Sequence, residues 1–501
     1  MHAQIVIACD RGFEHVLDGF DLLAPMWEAG PDGVGRGRDS VNHQRIDAAL
    51  RDATDTQNVT IGAGVLGSVE DVFEQSFGDR AAVVVADENT LAVAGEEVRE
   101  RLEVAGRRLV EPYVFAGRPT LYADYGNVVT LRETLRAHDA VPVAVGSGTL
   151  NDLVKRAVHE LGRPYMVVAT AASMDGYTAF GASIAREGFK QTLACPAPRA
   201  VLADLDVLMD APSEMTASGY ADLLGKVTAG ADWLFADALE VEKIDPHLWS
   251  LVQDPLREWT GKPAELRAGD REAMERLTEG LILTGLAMQA YQSSRPASGA
   301  EHQFSHLWEM EGLGQNDDPP LSHGFKVGVG SIAIAALYGR ILRRDLSDLD
   351  IEALRESWPT REELEKEVRA AHTTSGLGEA AVEQSLAKYV NAGGLAHRLE
   401  RLCRLWSELR ERVAKQSLSA EQTSAMLRAG GCPTGPSEIG LSIPDFKATY
   451  SRSRMIRKRY TVLDLAAETG VFEECVDELF AAPDGFWAHH AASRPDAELP
   501  R

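Results

Sequence analysis

Val141-Pro142-Val143-Ala144-Val145-Gly146-Ser147-Gly148-Thr149-Leu150-Asn151-Asp152 is the stretch on which the fold turns. Val141 to Val145 is a short apolar run of the kind that fills a strand buried on both faces. Two glycines follow, and then a helical pattern from Leu150 to Leu161. Glycine lets a backbone approach a ligand closely, and a helix N-terminus presents unpaired N–H groups and the positive end of its dipole. Strand, glycine turn and helix in that order form one arm of a parallel α/β sheet, with a cradle for a pyrophosphate at the strand's carboxyl end.

The same alternation extends to either side. Val59-Thr60-Ile61, Ala82 to Val85 and Met166 to Ala169 read as further strands, and Val69 to Phe77 as a further helix. Residues 41–211 are therefore expected to form a parallel sheet with crossover helices. A second glycine cluster competes for the cradle. Gly62-Ala63-Gly64-Val65-Leu66-Gly67 matches G-x-G-x-x-G, and Asp87 lies 20 residues beyond Gly67. That is a dinucleotide fingerprint, and equally a tight strand-to-helix turn. Asp87 likewise reads as a ribose ligand or as the end of a strand, with Asn89 making the turn. Thr170, Ala171, Ala172 and Ser173 follow the Met166–Ala169 run, and such small residues leave room for a flat ring.

After Pro212 the strand signals stop. Ile351 to Ser357, Arg361 to Ala371 and Ala396 to Lys415 carry amphipathic helical patterns, so residues 212–490 read as all-helical. Within them, three of the chain's 13 histidines fall in 22 positions: His302, His306 and His323. His302 and His306 share a helix face, with Ser298 and Glu301 spaced as a capping box for that helix. His323 opens a new segment after Pro319-Pro320. Spacing alone suggests a three-histidine metal site, against the alternative of structural histidines. Residues 1–40 stand apart, with a strand at Ile5–Ala8, a helix at His15–Trp27 and a glycine-rich linker at Glu28–Gly37. Residues 491–501 are expected to fray.

Composition narrows the function. A net charge of −25 argues against nucleic acid and against an anionic membrane surface as partners. An anionic substrate would need a local basic or metal centre to overcome that field. Five scattered cysteines with no CxxC suit a reducing cytoplasm and exclude a thiolate zinc site. The longest apolar run, Val327 to Leu342, is broken by glycines and Arg340, and falls short of the ~20 residues of a membrane span. No membrane insertion and no signal peptide are expected.

Several motifs then fall into one family pattern. Gly146-Ser-Gly-Thr-Leu-Asn-Asp152, Thr170-Ala-Ala-Ser-Met-Asp-Gly-Tyr177 and Gly219-Tyr-Ala-Asp-Leu-Leu-Gly-Lys226 come first in the chain. Ser294-Arg-Pro-Ala-Ser-Gly-Ala-Glu-His302, His323-Gly324 and Met455-Ile-Arg-Lys-Arg-Tyr-Thr-Val-Leu-Asp-Leu465 follow. Together they resemble the sn-glycerol-1-phosphate dehydrogenases, most closely the bacterial, AraM-like branch. That family is grouped with the dehydroquinate synthases and the iron-containing alcohol dehydrogenases. The resemblance runs from about residue 45 to about residue 475.

It implies an α/β Rossmann-like N-terminal domain followed by an all-α C-terminal domain, the dehydroquinate synthase-like fold, with the active site in the cleft between them. It implies NAD(H) or NADP(H), one divalent metal ion (zinc or nickel, with iron also compatible), and a small phosphorylated substrate. The reaction would interconvert dihydroxyacetone phosphate and sn-glycerol 1-phosphate, and a homodimer is compatible with it.

Carried over by motif, Asp222, His302 and His323 would hold the metal. Asp222 would on spacing alone have read as a solvated or capping residue. Asp175 and His306 would be catalytic and, with Asp222, would meet the substrate: His306 relaying a proton, Asp175 holding the terminal hydroxyl. The dinucleotide would lie against Gly148, Thr149, Leu150, Asn151, Asp152, Thr170, Ala171, Ala172 and Ser173. Asp87 at the adenosine ribose would favour NAD, and the Gly62–Gly67 turn becomes structural.

Two departures stand out. Gln303 replaces a histidine common in the family, and the loop from His306 to His323 is longer than in archaeal members. Lys190, Lys226, Arg295 and Lys326 are unranked candidates for the phosphate. The run Arg452 to Arg457 reads as a solvated helix face, or as a contact for an anionic substrate or a neighbouring subunit. Other readings are a related dehydrogenase or a dehydroquinate synthase-like cyclase acting on another small polyol or phosphorylated ketone. A binding or regulatory protein that keeps the fold is the non-enzymatic one.

Overall fold

Six parallel strands form the sheet in this computed structural model. The structure describes residues 43–186, 189–373, 376–481 and 483–488, with the side chains of Phe189 and Lys190 outside that description. The expectations for residues 1–40, for residues 491–501 and for the Lys190 ammonium therefore lie outside the described residues. By its internal contacts the chain divides into Met1–Asp39 and Ser40–Arg501, and every element below belongs to the second unit.

The strands are β1 (Asn58–Gly62), β2 (Ala82–Asp87), β3 (Leu109–Phe115), β4 (Val141–Gly146), β5 (Met166–Ala169), β6 (Ala182–Arg186), β7 (Phe189–Leu193) and β8 (Ala200–Asp204). The sheet order is β1-β8-β5-β4-β2-β3, and β6 and β7 pair as a separate antiparallel hairpin. β4, β5 and β8 are buried at every position, which is why they read as unbroken apolar runs rather than alternating ones. From β2 the chain steps outward to β3, then returns to β4 on the other side of β2. The strand order thus reverses between β2 and β4, where open α/β sheets bind their ligands. Val85 pairs with Ala144, so Asp87 and Gly146 stand side by side at the mouth of that crevice.

All elements described after β8 are helical. Helix His323–Ile341 is long and apolar enough to cross a membrane, but 83% of its most apolar window is buried inside the protein. Two glycines set how closely the helices approach. A Cβ on Gly219 would stand 1.9 Å from the carbonyl oxygen of Ala172, and one on Gly324 would stand 1.9 Å from that of Ser218. Helix Ser213–Leu224 is thereby pressed against the segment after β5 on one side and against helix His323–Ile341 on the other. Asp222 sits within that layer.

Candidate metal centre

Asp222, His302 and His323 converge from three helices, each offering a ligand atom within 4.8 Å of the others. Asp222 lies in helix Ser213–Leu224, His302 in the first turn of helix Ala300–Met310, and His323 at the start of helix His323–Ile341. Ser322 caps that last helix, its hydroxyl accepting the Phe325 N–H. The capping box expected of Ser298 and Glu301 does not form. The helix starts one residue later, after Gly299, and Glu301 Oε1 accepts the Gly299 N–H at 2.7 Å.

The same Glu301 oxygen lies 2.8 Å from His302 Nδ1, and Glu309 Oε1 lies 2.9 Å from His323 Nδ1. An ionised carboxylate only accepts, so both Nδ1 atoms carry the proton and both Nε2 atoms are left as ligand atoms. His302 Nε2 is 3.4 Å from Asp222 Oδ1. Lone pairs aimed at one another at that range repel unless a cation lies between them, so the donor set fits a divalent ion. Burial and Lys226 oppose protonation of His302, yet its hydrogen bonds to Asp222 and Glu301 hold its pKa above the ordinary imidazole value.

Asp222 is fully buried and ionised. Burial works against the charge, but Lys226 and then His302 hold it well below the usual carboxylate range. Lys226 Nζ sits 2.6 Å from Asp222 Oδ1 and 2.8 Å from Asp175 Oδ2, and Asp222 Oδ2 accepts the Asp175 N–H at 3.1 Å. The structure thus brings Asp175 beside the trio and commits Lys226 to bridging the two carboxylates. Arg295 is also committed: it is buried, donates to the carbonyls of Tyr460 and Asp232, and pairs with Glu242. Lys326 Nζ donates to the Leu321 carbonyl at 3.1 Å.

His306 stands one turn beyond His302, with ring centroids 5.8 Å from His302 and 5.9 Å from His323. Arg457 lies 3.3 Å from its Nδ1. A guanidinium only donates, so Nδ1 accepts and Nε2 carries the proton. Burial, and then the Arg457 charge, hold the His306 pKa well below the usual imidazole range. The Arg452–Arg457 run does not form the solvated helix face expected of it. The helix ends at Arg454, and buried Met455 and Ile456 turn the chain inward. Arg452 pairs with Glu311 and Arg454 with Glu367, while Arg457 faces His306.

At the crevice, Thr170 N–H donates to Gly146 O at 3.2 Å, so the Gly146–Gly148 turn and the Thr170–Ser173 segment lie side by side. Gly148, Thr149 and Leu150 open helix Gly148–Glu160, whose first turn takes no side-chain cap from Ser147. The Ala171 carbonyl accepts the Tyr177 hydroxyl and the Ser173 carbonyl accepts that of Ser218; Ala171 and Ala172 are buried. Two of the expected contacts are turned elsewhere. Asn151 is buried between Tyr165 Oη at 2.8 Å and Gly176 O at 3.4 Å, and Asp152 accepts the Ser183 N–H at 3.0 Å. Both side chains brace the segment from Asp175 to Ser183. Asp87 ends β2, and its carboxylate caps the N–H groups of Asn89 and Thr90. In the Gly62–Gly67 turn, the Gly64 and Leu66 N–H groups donate to the Asp204 carboxylate at 3.0 and 2.7 Å. The chain's own carboxylate fills the place of an anion there, and the turn is structural.

Glu301, Glu309, Lys226 and Arg457 are the site residues that sequence reasoning missed or misplaced. Lys226 is four residues from Asp222 and Glu309 seven from His302, so helical spacing carried a signal for both.

Comparison with known proteins gives a consistent result. The family model described as iron-containing alcohol dehydrogenase matches residues 60–212. A glycerol-1-phosphate dehydrogenase (NAD(P)+) of Halalkalibacterium halodurans is 40% identical over 266 residues, covering 52% of this chain and 66% of that protein. One of Bacillus licheniformis is 32% identical over 347 residues, covering 68% of this chain and 86% of that protein. Among solved structures, a glycerol dehydrogenase from Schizosaccharomyces pombe superposes with a TM-score of 0.52 at 14% identity, covering 88% of this chain and 93% of that one. A probable glycerol dehydrogenase from Sinorhizobium meliloti gives 0.53 at 16%, covering 85% and 98%. At such identities the likeness concerns the fold, which is the dehydroquinate synthase-like one.

Proposed function

This chain belongs to the glycerol-1-phosphate dehydrogenase family, and on that premise we propose that it interconverts dihydroxyacetone phosphate and sn-glycerol 1-phosphate with NAD(H) or NADP(H). The observation that carries the site is the pairing of both imidazole Nδ1 atoms with buried carboxylates. It leaves His302 Nε2 and His323 Nε2, with Asp222, as the holders of a divalent ion. One carboxylate and two imidazoles suit zinc, nickel or iron(II), and zinc or nickel is the family expectation. When bound, the metal supplies Lewis acidity at the C2 oxygen and the nicotinamide supplies the hydride.

The chain's own residues do the rest. Lys226 bridges Asp222 and Asp175, keeps the buried Asp222 ionised and positions both side chains. Asp175 then has acceptor capacity for the substrate's terminal hydroxyl. His306, held neutral with its proton on Nε2, donates a hydrogen bond to the C2 oxygen and orients it, and the proton that reduction adds there is taken up from solvent. The dinucleotide phosphates would meet the backbone of Gly148, Thr149 and Leu150, with Thr170 to Ser173 beside the ring. Asn151 and Asp152 shape that surface from behind. Asp87 at the ribose favours NAD, because a carboxylate repels a 2′-phosphate. The reading carries with it a homodimer and a cytoplasmic location, where buried Cys195, Cys432 and Cys475 stay reduced.

His302→Ala tests the assignment. It should remove bound metal and NADH oxidation by dihydroxyacetone phosphate together; a variant that keeps either one contradicts the ligand set.

A further inference from the structure

We propose that Arg457 anchors the phosphate of the substrate and thereby makes the site select a phosphorylated ketone over the free one. The inference rests on the functional reading above. Arg457 lines a small recess with His306, Glu309, Ser183, Gln191 and Thr192. Ser183 and Thr192 face each other across the β6–β7 hairpin, which Asp152 ties down through the Ser183 N–H. The recess therefore offers one guanidinium, two hydroxyls and an amide, a donor set that fits a phosphate.

The neighbouring cations are otherwise engaged. Lys226 bridges Asp175 and Asp222, Arg295 and Arg459 are tied to interior groups, and Arg452 and Arg454 have carboxylate partners. Arg457 differs. It meets His306 Nδ1, and among the described residues no carboxylate lies within ion-pair distance of it. Glu309 is the one carboxylate in the recess, and it is bonded to His323 rather than to Arg457; a largely enclosed cation with no direct ion-pair partner favours a ligand that supplies the anion. The position also suits the substrate. His306 has the metal histidines on one side and Arg457 on the other, so a molecule whose C2 oxygen lies at the metal centre would present its phosphate, three bonds from C2, toward the guanidinium. Four carboxylates surround the centre (Asp175, Asp222, Glu301 and Glu309) in a chain of net charge −25, so an anionic substrate needs such a local cation.

The test compares kcat/KM for dihydroxyacetone phosphate with that for dihydroxyacetone, in the metal-loaded wild type and in Arg457→Met. The ratio should fall at least about thirty-fold in the variant. Inorganic phosphate should inhibit wild type competitively and should lose that effect in the variant, while bound metal stays at the wild-type level. A folded, metal-replete variant with the wild-type ratio and unchanged phosphate inhibition overturns the inference. If Arg457→Met fails to fold, Arg457→Gln, which keeps donors and loses charge, is read in the same way. A wild type that does not prefer the phosphorylated ketone overturns the functional reading first, and this inference with it.

Discussion

The two carboxylates behind the histidines matter as much at the residue scale as the three ligands. Glu301 and Glu309 fix which nitrogen of each imidazole is free to bind. Glu309→Gln keeps an acceptor at His323 Nδ1 but removes the charge. It should weaken metal binding by about 10–100-fold, read by competition with a chelator; unchanged affinity would show that the carboxylate has no part in tuning the ligand. Lys226 sits between two carboxylates with no solvent of its own. Lys226→Met leaves both charges buried without their partner and should cost roughly 3–5 kcal/mol in the metal-free protein, measured by urea denaturation. A loss below about 1 kcal/mol would mean that the pair is better solvated than its burial implies.

Helix contacts and strand ends, at the element scale, decide whether these residues meet. Gly324→Ala places a methyl carbon on the Ser218 carbonyl, so helix His323–Ile341 must shift away from helix Ser213–Leu224. A cost of about 1–3 kcal/mol is expected, together with weakened metal binding, because His323 moves with the helix; a variant with wild-type metal content and melting temperature would refute this. Asp204→Ala probes the other glycine turn. It should destabilise the protein by about 1–3 kcal/mol through the orphaned Gly64 and Leu66 N–H groups. NADH affinity should not change if the cofactor lies, as proposed, at the β2–β4 crevice.

Elements differ in how far the sequence disclosed them. Helix Val69–Phe77 agrees residue for residue, because Val69, Val72, Phe73 and Phe77 make one buried stripe. β3 escaped notice because Glu111 and Pro112 interrupt its apolar run, as an edge strand tolerates. β8 is only five residues long, two of them alanine, and so carries a weak β signal. The Asp222–His302 meeting spans 80 residues of sequence. Periodicity says nothing at that range, and only the shared motifs brought the pair together. Helical spacing puts Glu309 on the face of His302, but its pairing with His323 and the inward turn of Arg457 arise from tertiary packing.

The chain as a whole carries a net charge of −25, and a divalent ion with Arg457 beside it would be the local positive charge that an anionic substrate meets. Metal that binds only the folded state adds RT ln(1 + [L]/Kd), about 4 kcal/mol at a thousandfold excess over Kd. The centre ties together three helices of the second half, so this stabilisation should appear as a lower melting temperature after chelation. The central claim is that Asp222, His302 and His323 hold the metal of an NAD(P)-linked reductase of dihydroxyacetone phosphate. The most direct measurement follows NADH absorbance with dihydroxyacetone phosphate in one preparation as purified, after chelation, and after adding back nickel or zinc. The account predicts oxidation that chelation abolishes and metal restores. No oxidation with metal present, or oxidation indifferent to chelation, would contradict it.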